Sequence, residues 1–201
     1  MGLSAADVDY AAPPVPLVEV TFYADDSVAF GHLALTADRL TELMNDRVEF
    51  DLVDAFLVSL DDGHEVSVGT VGVSRDEICA VGVTGPRGDP ARKVPTHVFP
   101  VELRLGPYDV SGNIHVHPGT DPITVFRRRR VMVPLTEATI EFDSPDGRRR
   151  SRFGTILVNR DLTDRIAISS RSDVGQPEAT NRLQGRGLMD DFAPLLEVRQ
   201  A

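Results

Sequence analysis

Gly69-Thr70-Val71-Gly72-Val73-Ser74-Arg75-Asp76 is written a second time as Gly154-Thr155-Ile156-Leu157-Val158-Asn159-Arg160-Asp161. In both stretches branched apolar residues recur among small or polar ones, as on a half-buried strand, and both end on an Arg-Asp pair suited to a turn. Outward from this pair the matches continue. Val18-Glu19-Val20-Thr21-Phe22 aligns with Val101-Glu102-Leu103-Arg104-Leu105. Gly31, Leu33 and Leu35 align with Gly112, Ile114 and Val116, and Asp38 with Asp121. Leu40 and Leu43 align with Ile123 and Phe126; Leu52, Ala55 and Leu57 with Leu135, Ala138 and Ile140; the Asp61-Asp62-Gly63 turn with Pro145-Asp146-Gly147. The spacing between matched residues drifts only from 81 to 85. Register kept through strands, a helix cap and turns together predicts two tandem copies of one unit.

The copies span 18–83 and 101–169, joined by a Pro/Gly linker over 84–100 in which Pro86, Pro90, Pro95 and Pro100 exclude regular structure. Residues 1–17 read as a flexible lead-in, and 170–201 as a polar tail with a possible short helix over 188–196. In the first copy strands are predicted at 18–22, 28–35, 48–60, 65–73 and 78–83, with a short helix over 39–45 capped by Asp38. In the second, Asp121-Pro122 opens the equivalent helix. Gly31, Gly112, Gly69 and Gly154 fall inside strand patterns, where glycine marks bulges or sharp bends. A flat sheet of this size leaves one face bare, whereas a curled one buries its own apolar residues. The fold expected is mostly β (α+β): two small curled five-stranded sheets or barrels, each with one short helix after strand two. Cores this small are marginal alone, so the copies should pack against each other or another chain.

The segments Gly112-Asn113-Ile114-His115-Val116, Val133-Pro134-Leu135-Thr136-Glu137-Ala138 and Ile156-Leu157-Val158-Asn159-Arg160, with Arg39-Leu40-Thr41-Glu42-Leu43-Met44-Asn45, carry a resemblance. They look like an uncharacterised bacterial domain family with Gly-x-Ile, Arg-Leu-Ser-Asp-x-Leu-Asn, Leu-x-Leu-Thr-Asp-Ala and Val-Asn motifs. The second copy departs from the helical motif, reading Pro122-Ile123-Thr124-Val125-Phe126-Arg127-Arg128 there. The resemblance covers both copies and implies a domain type without a known activity.

Composition narrows the function classes. The 201 residues are 41% hydrophobic and 26% charged, as in soluble globular proteins. Tryptophan is absent and aromatics make up only 6%, so the cores should be mostly aliphatic. The net charge of −10 disfavours general nucleic-acid binding, which must overcome phosphate repulsion. Cys79 is the only cysteine, which excludes an internal disulfide and a cysteine-based zinc site; it reads as a buried strand residue. No apolar run reaches the ~20 residues that span a bilayer, and the N-terminus lacks a signal-peptide pattern, so a cytoplasmic location without membrane contact is expected.

Two constellations are candidates for chemistry. His115 and His117 lie at i and i+2 of a strand and share a face, so both could reach one metal near Asp121. No later histidine completes the ligand set; the alternative is two solvent-facing histidines. The second candidate is arginine-rich: Arg127, Arg128, Arg129 and Arg130 after the helix, and Arg148, Arg149 and Arg150 on the fourth strand of the second copy. The first copy carries 3 Arg against 14 Asp/Glu, the second 11 Arg against 9. Three readings stay open: a solvated basic face, contact with the acidic copy within or between chains, and binding of RNA or an anionic ligand. The aromatics that stack bases are scarce near these arginines. Asp25-Asp26, Asp61-Asp62 and Asp38 read as turn and cap carboxylates. No hydrolase elbow, phosphate loop or Cys-His arrangement is present. The sequence thus points to a non-enzymatic interaction or assembly module, without cofactor, with a protein partner or self-association as its mode of action.

Overall fold

A computed structural model describes residues 15–83 and 95–169 of the chain. The linker over 84–94, the first 14 residues and the tail with its predicted helix lie outside the described residues. The first half contains β1 (Leu17–Ala24), β2 (Ser27–Ala34), α1 (Leu40–Asp46), β3 (Glu49–Ser59), β4 (Glu65–Ser74) and β5 (Ile78–Val83). The second contains β6 (His97–Leu105), β7 (Tyr108–Val116), α2 (Pro122–Arg128), β8 (Met132–Ser144), β9 (Gly147–Asn159) and β10 (Arg165–Ile168). All ten strands join one antiparallel sheet in the order β10-β6-β7-β8-β9-β5-β1-β2-β3-β4. The fold is therefore mostly β, and among the described residues no helix is long and apolar enough to cross a membrane.

The expectation of two separate curled sheets or barrels is corrected on one point. The halves share a single open sheet, because β5 and β9 hydrogen-bond across what would otherwise be two edges, Ala80 opposite Val158 through Val83 opposite Thr155. Each half contributes five strands, an odd number. Repeating the same strand order in an antiparallel sheet then reverses strand direction, so the inner faces of the two halves lie on opposite sides of the sheet. The cores follow. At the joint Ala80 and Val158 enter the core of the second half, with Leu103, Ile114, Leu135 and Ile140. Their neighbours Val81 and Leu157 enter the core of the first half, with Val20, Leu33, Leu52 and α1's Leu43 and Met44.

Bends recur at matching places. Asp54 (φ 51°) and Glu137 (φ 50°) hold left-handed backbone, and the β2–β3 and β7–β8 registers both slip beside Gly31 and Gly112. A Cβ on Gly31 would lie 2.8 Å from Leu52 Cγ and 2.9 Å from the Val53 carbonyl oxygen, so these strands approach too closely for any other residue. No such crowding surrounds Gly69, which the sequence reading made a bend. The Arg-Asp pairs open 3₁₀ turns at Arg75–Glu77 and Arg160–Leu162. Arg75 N donates to the Val48 carbonyl and Arg160 N to that of Val131. The guanidinium of Arg75 reaches the carbonyl of Arg47, and that of Arg160 the carbonyls of Arg127 and Arg129.

Three local expectations need correction. Asp38 does not cap α1: the helix begins one residue later, Arg39 takes the cap position without a side-chain bond, and Asp38 is too early to reach the first turn. Asp121 does cap α2, accepting from Thr124 N at 2.7 Å. Pro100 does not exclude regular structure, for β6 begins at His97 and Pro100 sits opposite Asn113. β10 covers only 101–104 of β6, so at Pro100 β6 is an edge strand, where a missing N–H is tolerated; the Pro100 carbonyl still accepts from Ser169 N. Arg127 and Arg128 belong to the last turn of α2 instead of following it.

Candidate functional site

Where the halves meet, side chains cross from one to the other. Tyr23 from β1 inserts into the second half's core, its ring edge-on to Tyr108 at 5.3 Å, Phe142 at 6.0 Å and Phe153 at 6.2 Å. Tyr108 Oη donates to the Ala24 carbonyl at 2.5 Å. Burial raises both phenols above their ordinary pKa. Two asparagines lock the junction. Asn45, at the end of α1, donates from Nδ2 to the Met132 carbonyl and accepts from Met132 N on Oδ1, both at 3.0 Å, as an added strand residue would. Buried Asn159 donates to the carbonyls of Arg75 (3.1 Å) and Ile78 (3.0 Å) and accepts from Asp161 N. Both asparagines stand in the motifs quoted for the family resemblance; the sequence reading assigned them no role, since nothing in their spacing shows what they bond.

On the first half, a cleft of about 720 Å³ opens beside the C-terminal part of β4. Its apolar wall includes Phe22, Ala29, Leu57, Val71 and Val73, with Cys79 at its edge. Asp25, Asp26, Asp76 and Glu77 from the first half and Asp161 and Asp164 from the second line the rest, with no lysine or arginine among the described residues. Asp25-Asp26 and the Asp76 and Asp161 of the Arg-Asp pairs were read as turn residues, and Glu77 and Asp164 were not singled out, because the topology alone brings these six carboxylates to the same place. Burial, reinforced by Asp25 and Asp164, pushes the Cys79 thiol up to about 11, which keeps it protonated. The Asp61-Asp62 turn lies apart, Asp62 accepting from His64 N at 2.9 Å. Among the described residues no group of three or more His, Cys, Asp or Glu is placed to hold a metal.

The sequence-derived candidates separate. His115 is half-buried, Nδ1 facing Thr96 Oγ1 at 3.2 Å and Nε2 facing Thr136 Oγ1 at 2.8 Å, so both ring nitrogens are engaged. His117 lies one residue past the end of β7 and is exposed, so the two histidines do not form the expected i and i+2 pair within one strand. The strand arginines are neutralised locally: Arg148 pairs with Asp109, Glu141 and Asp143, Arg149 with Asp146, and Arg150 with Glu141. The Arg104 and Arg148 hydrogen bonds hold Asp109 below the usual carboxylate range, against a smaller opposing effect of burial. Arg130 crosses to the first half and pairs with Asp46 at 2.8 Å. Arg129 donates to the His115 carbonyl, and its partial burial lowers its pKa. Arg127 and Arg128 make no ion pair among the described residues. No family model, no curated protein and no solved structure matches this chain.

Proposed function

We propose that this chain is a non-enzymatic assembly module, built from two copies of one five-stranded β-unit and acting through protein–protein contacts that include its own kind. The duplication is supported by the sequence register, by the matching strand orders β10-β6-β7-β8-β9 and β5-β1-β2-β3-β4, and by the paired bends at Asp54 and Glu137. The observation that carries the assembly reading is β4: ten residues long, without a second neighbour among the described residues, and uncharged from Val66 to Ser74. Edge strands of that kind recruit further strands unless shielded. The unequal charge of the halves adds directionality, since unlike surfaces favour head-to-tail contact. Light scattering across protein concentration and salt tests it. Mass should rise with concentration at low salt and fall as salt screens the contact; a monomer under every condition overturns the reading.

A second reading, binding of RNA or another anion, rests on the unpaired Arg127 and Arg128 alone, because four of the seven candidate arginines already hold carboxylates. A gel shift with single-stranded RNA that disappears when Arg127–Arg130 become serine supports it; no shift for the unaltered protein removes it. A metal-dependent reaction at His115 and His117 draws no support from an imidazole already bonded at both nitrogens.

A further inference from the structure

β4 and β9 carry the same signature, yet only β9 has a strand on its outer side. That strand is β5, which pairs with β1 as β10 pairs with β6. β10 therefore stands to the second half as β5 stands to the first. The two edges of the sheet left open among the described residues, β4 and β10, are the separated halves of a joint that the chain already contains once. Neither strand contains proline, β4 has no bulge in its register with β3, and Val66 and Ile168 leave apolar surface exposed on the two edges.

We propose that copies of this chain associate head to tail, β10 of one adding to β4 of the next in the register of the β5–β9 joint. This rests on the assembly reading above and specifies its surfaces. Carried over from the internal joint, the register sets Thr163 opposite Val73, Arg165 opposite Val71, Ile166 opposite Thr70 and Ile168 opposite Val68. Residues opposite one another in antiparallel strands share a face. Arg165 thus enters on the side of Val71 and Val73, which is the wall of the acidic cleft. It is exposed and makes no ion pair among the described residues, while the cleft presents six carboxylates and no cation. Size matches as well as charge. In the internal joint Gly82 holds the place of Arg165, where a Cβ would meet the Phe153 ring at 2.4 Å. On β4 the counterpart of Phe153 is Val68, which leaves room for a side chain.

The full-length double variant Thr70→Cys/Ile166→Cys puts two thiols opposite each other across this joint, and native Cys79 is buried and protonated. After mild oxidation, a non-reducing gel should show a ladder of dimers and larger species, with each single variant giving no ladder beyond the dimer. Arg165→Glu, a surface change, should raise the concentration needed for association at least tenfold, and Glu77→Lys should restore part of it. Absence of a ladder, a cross-link closed within one chain, or unchanged association of Arg165→Glu overturns the joint. If unaltered protein still gains mass with concentration in those cases, the assembly reading stands and only the surface is wrong. Unaltered protein that is monomeric throughout removes both.

Discussion

β4 and β9 share a sequence signature and end on the same Arg-Asp turn, but they live in different surroundings. Ile156, Leu157 and Val158 on β9 are at most 1% exposed, whereas their counterparts Val71, Gly72 and Val73 on β4 are half-buried or exposed. The difference is the neighbour. β9 has β5 beside it and the first half's Tyr23, Val28, Cys79 and Ala80 packed into its half's core. β4 has solvent and a cleft. The signature thus has a strand on both sides in β9 and, among the described residues, on one side only in β4; the burial of its residues follows the strand's neighbours more than the residues themselves.

Matched substitutions can break this comparison. The largest contrast is expected at the apolar positions: Ile156→Ala should cost about 2–5 kcal/mol in urea unfolding, and Val71→Ala, in dilute protein, about 1 kcal/mol or less. Equal costs would mean that β4 is as well covered as β9. Next come the turn entries. Asn159→Ala strands two carbonyls and an N–H at a buried junction, for a loss of about 2–4 kcal/mol, while Ser74→Ala should stay within about 0.5 kcal/mol. At the glycines, Gly82→Ala should destabilise by about 1–3 kcal/mol through the Phe153 ring. Gly72→Ala meets nothing within 4 Å and should be neutral or slightly stabilising by thermal melt.

A separate effect is expected at alkaline pH. Cys79 is neutral below its ordinary pKa in both folded and unfolded chains, so stability does not depend on it there. Its folded pKa of about 11 lies above the unfolded value of roughly 8.5, so the unfolded chain ionises first and stability falls as pH rises between the two. Melting temperature should therefore drop from pH 8 to 11, and Cys79→Ala should reduce that drop, the raised phenols of Tyr23 and Tyr108 accounting for the remainder. Iodoacetamide should label the folded protein slowly at pH 8.

The individual strands, turns and one helix cap were largely legible. Strand alternation, the Asp-Gly and Pro-Asp-Gly turns and the Asp121-Pro122 cap are local signals, and the elements follow them closely. What sequence reading missed is long-range. Nothing in Ile78-Cys79-Ala80-Val81-Gly82-Val83 names β9 as its partner, because any apolar strand offers the same backbone donors and acceptors. The acidic cleft was hidden for the same reason: Asp25, Asp76 and Asp164 are ordinary turn residues until the topology gathers them. At Pro100 a sound local rule was overridden by position, since the breaker lies where β6 has only one neighbour.

The β5–β9 joint also sets a schedule for the ribosome. β5 is an uncharged strand that emerges about 70 residues before the β9 segment able to cover it. At typical elongation rates of 5–20 residues per second that interval lasts roughly 4–15 s. Throughout it a nearly complete first half displays an apolar strand of the sort that seeds aggregation. Translational pausing within the second half would therefore lower the yield of native protein more than pausing within the first.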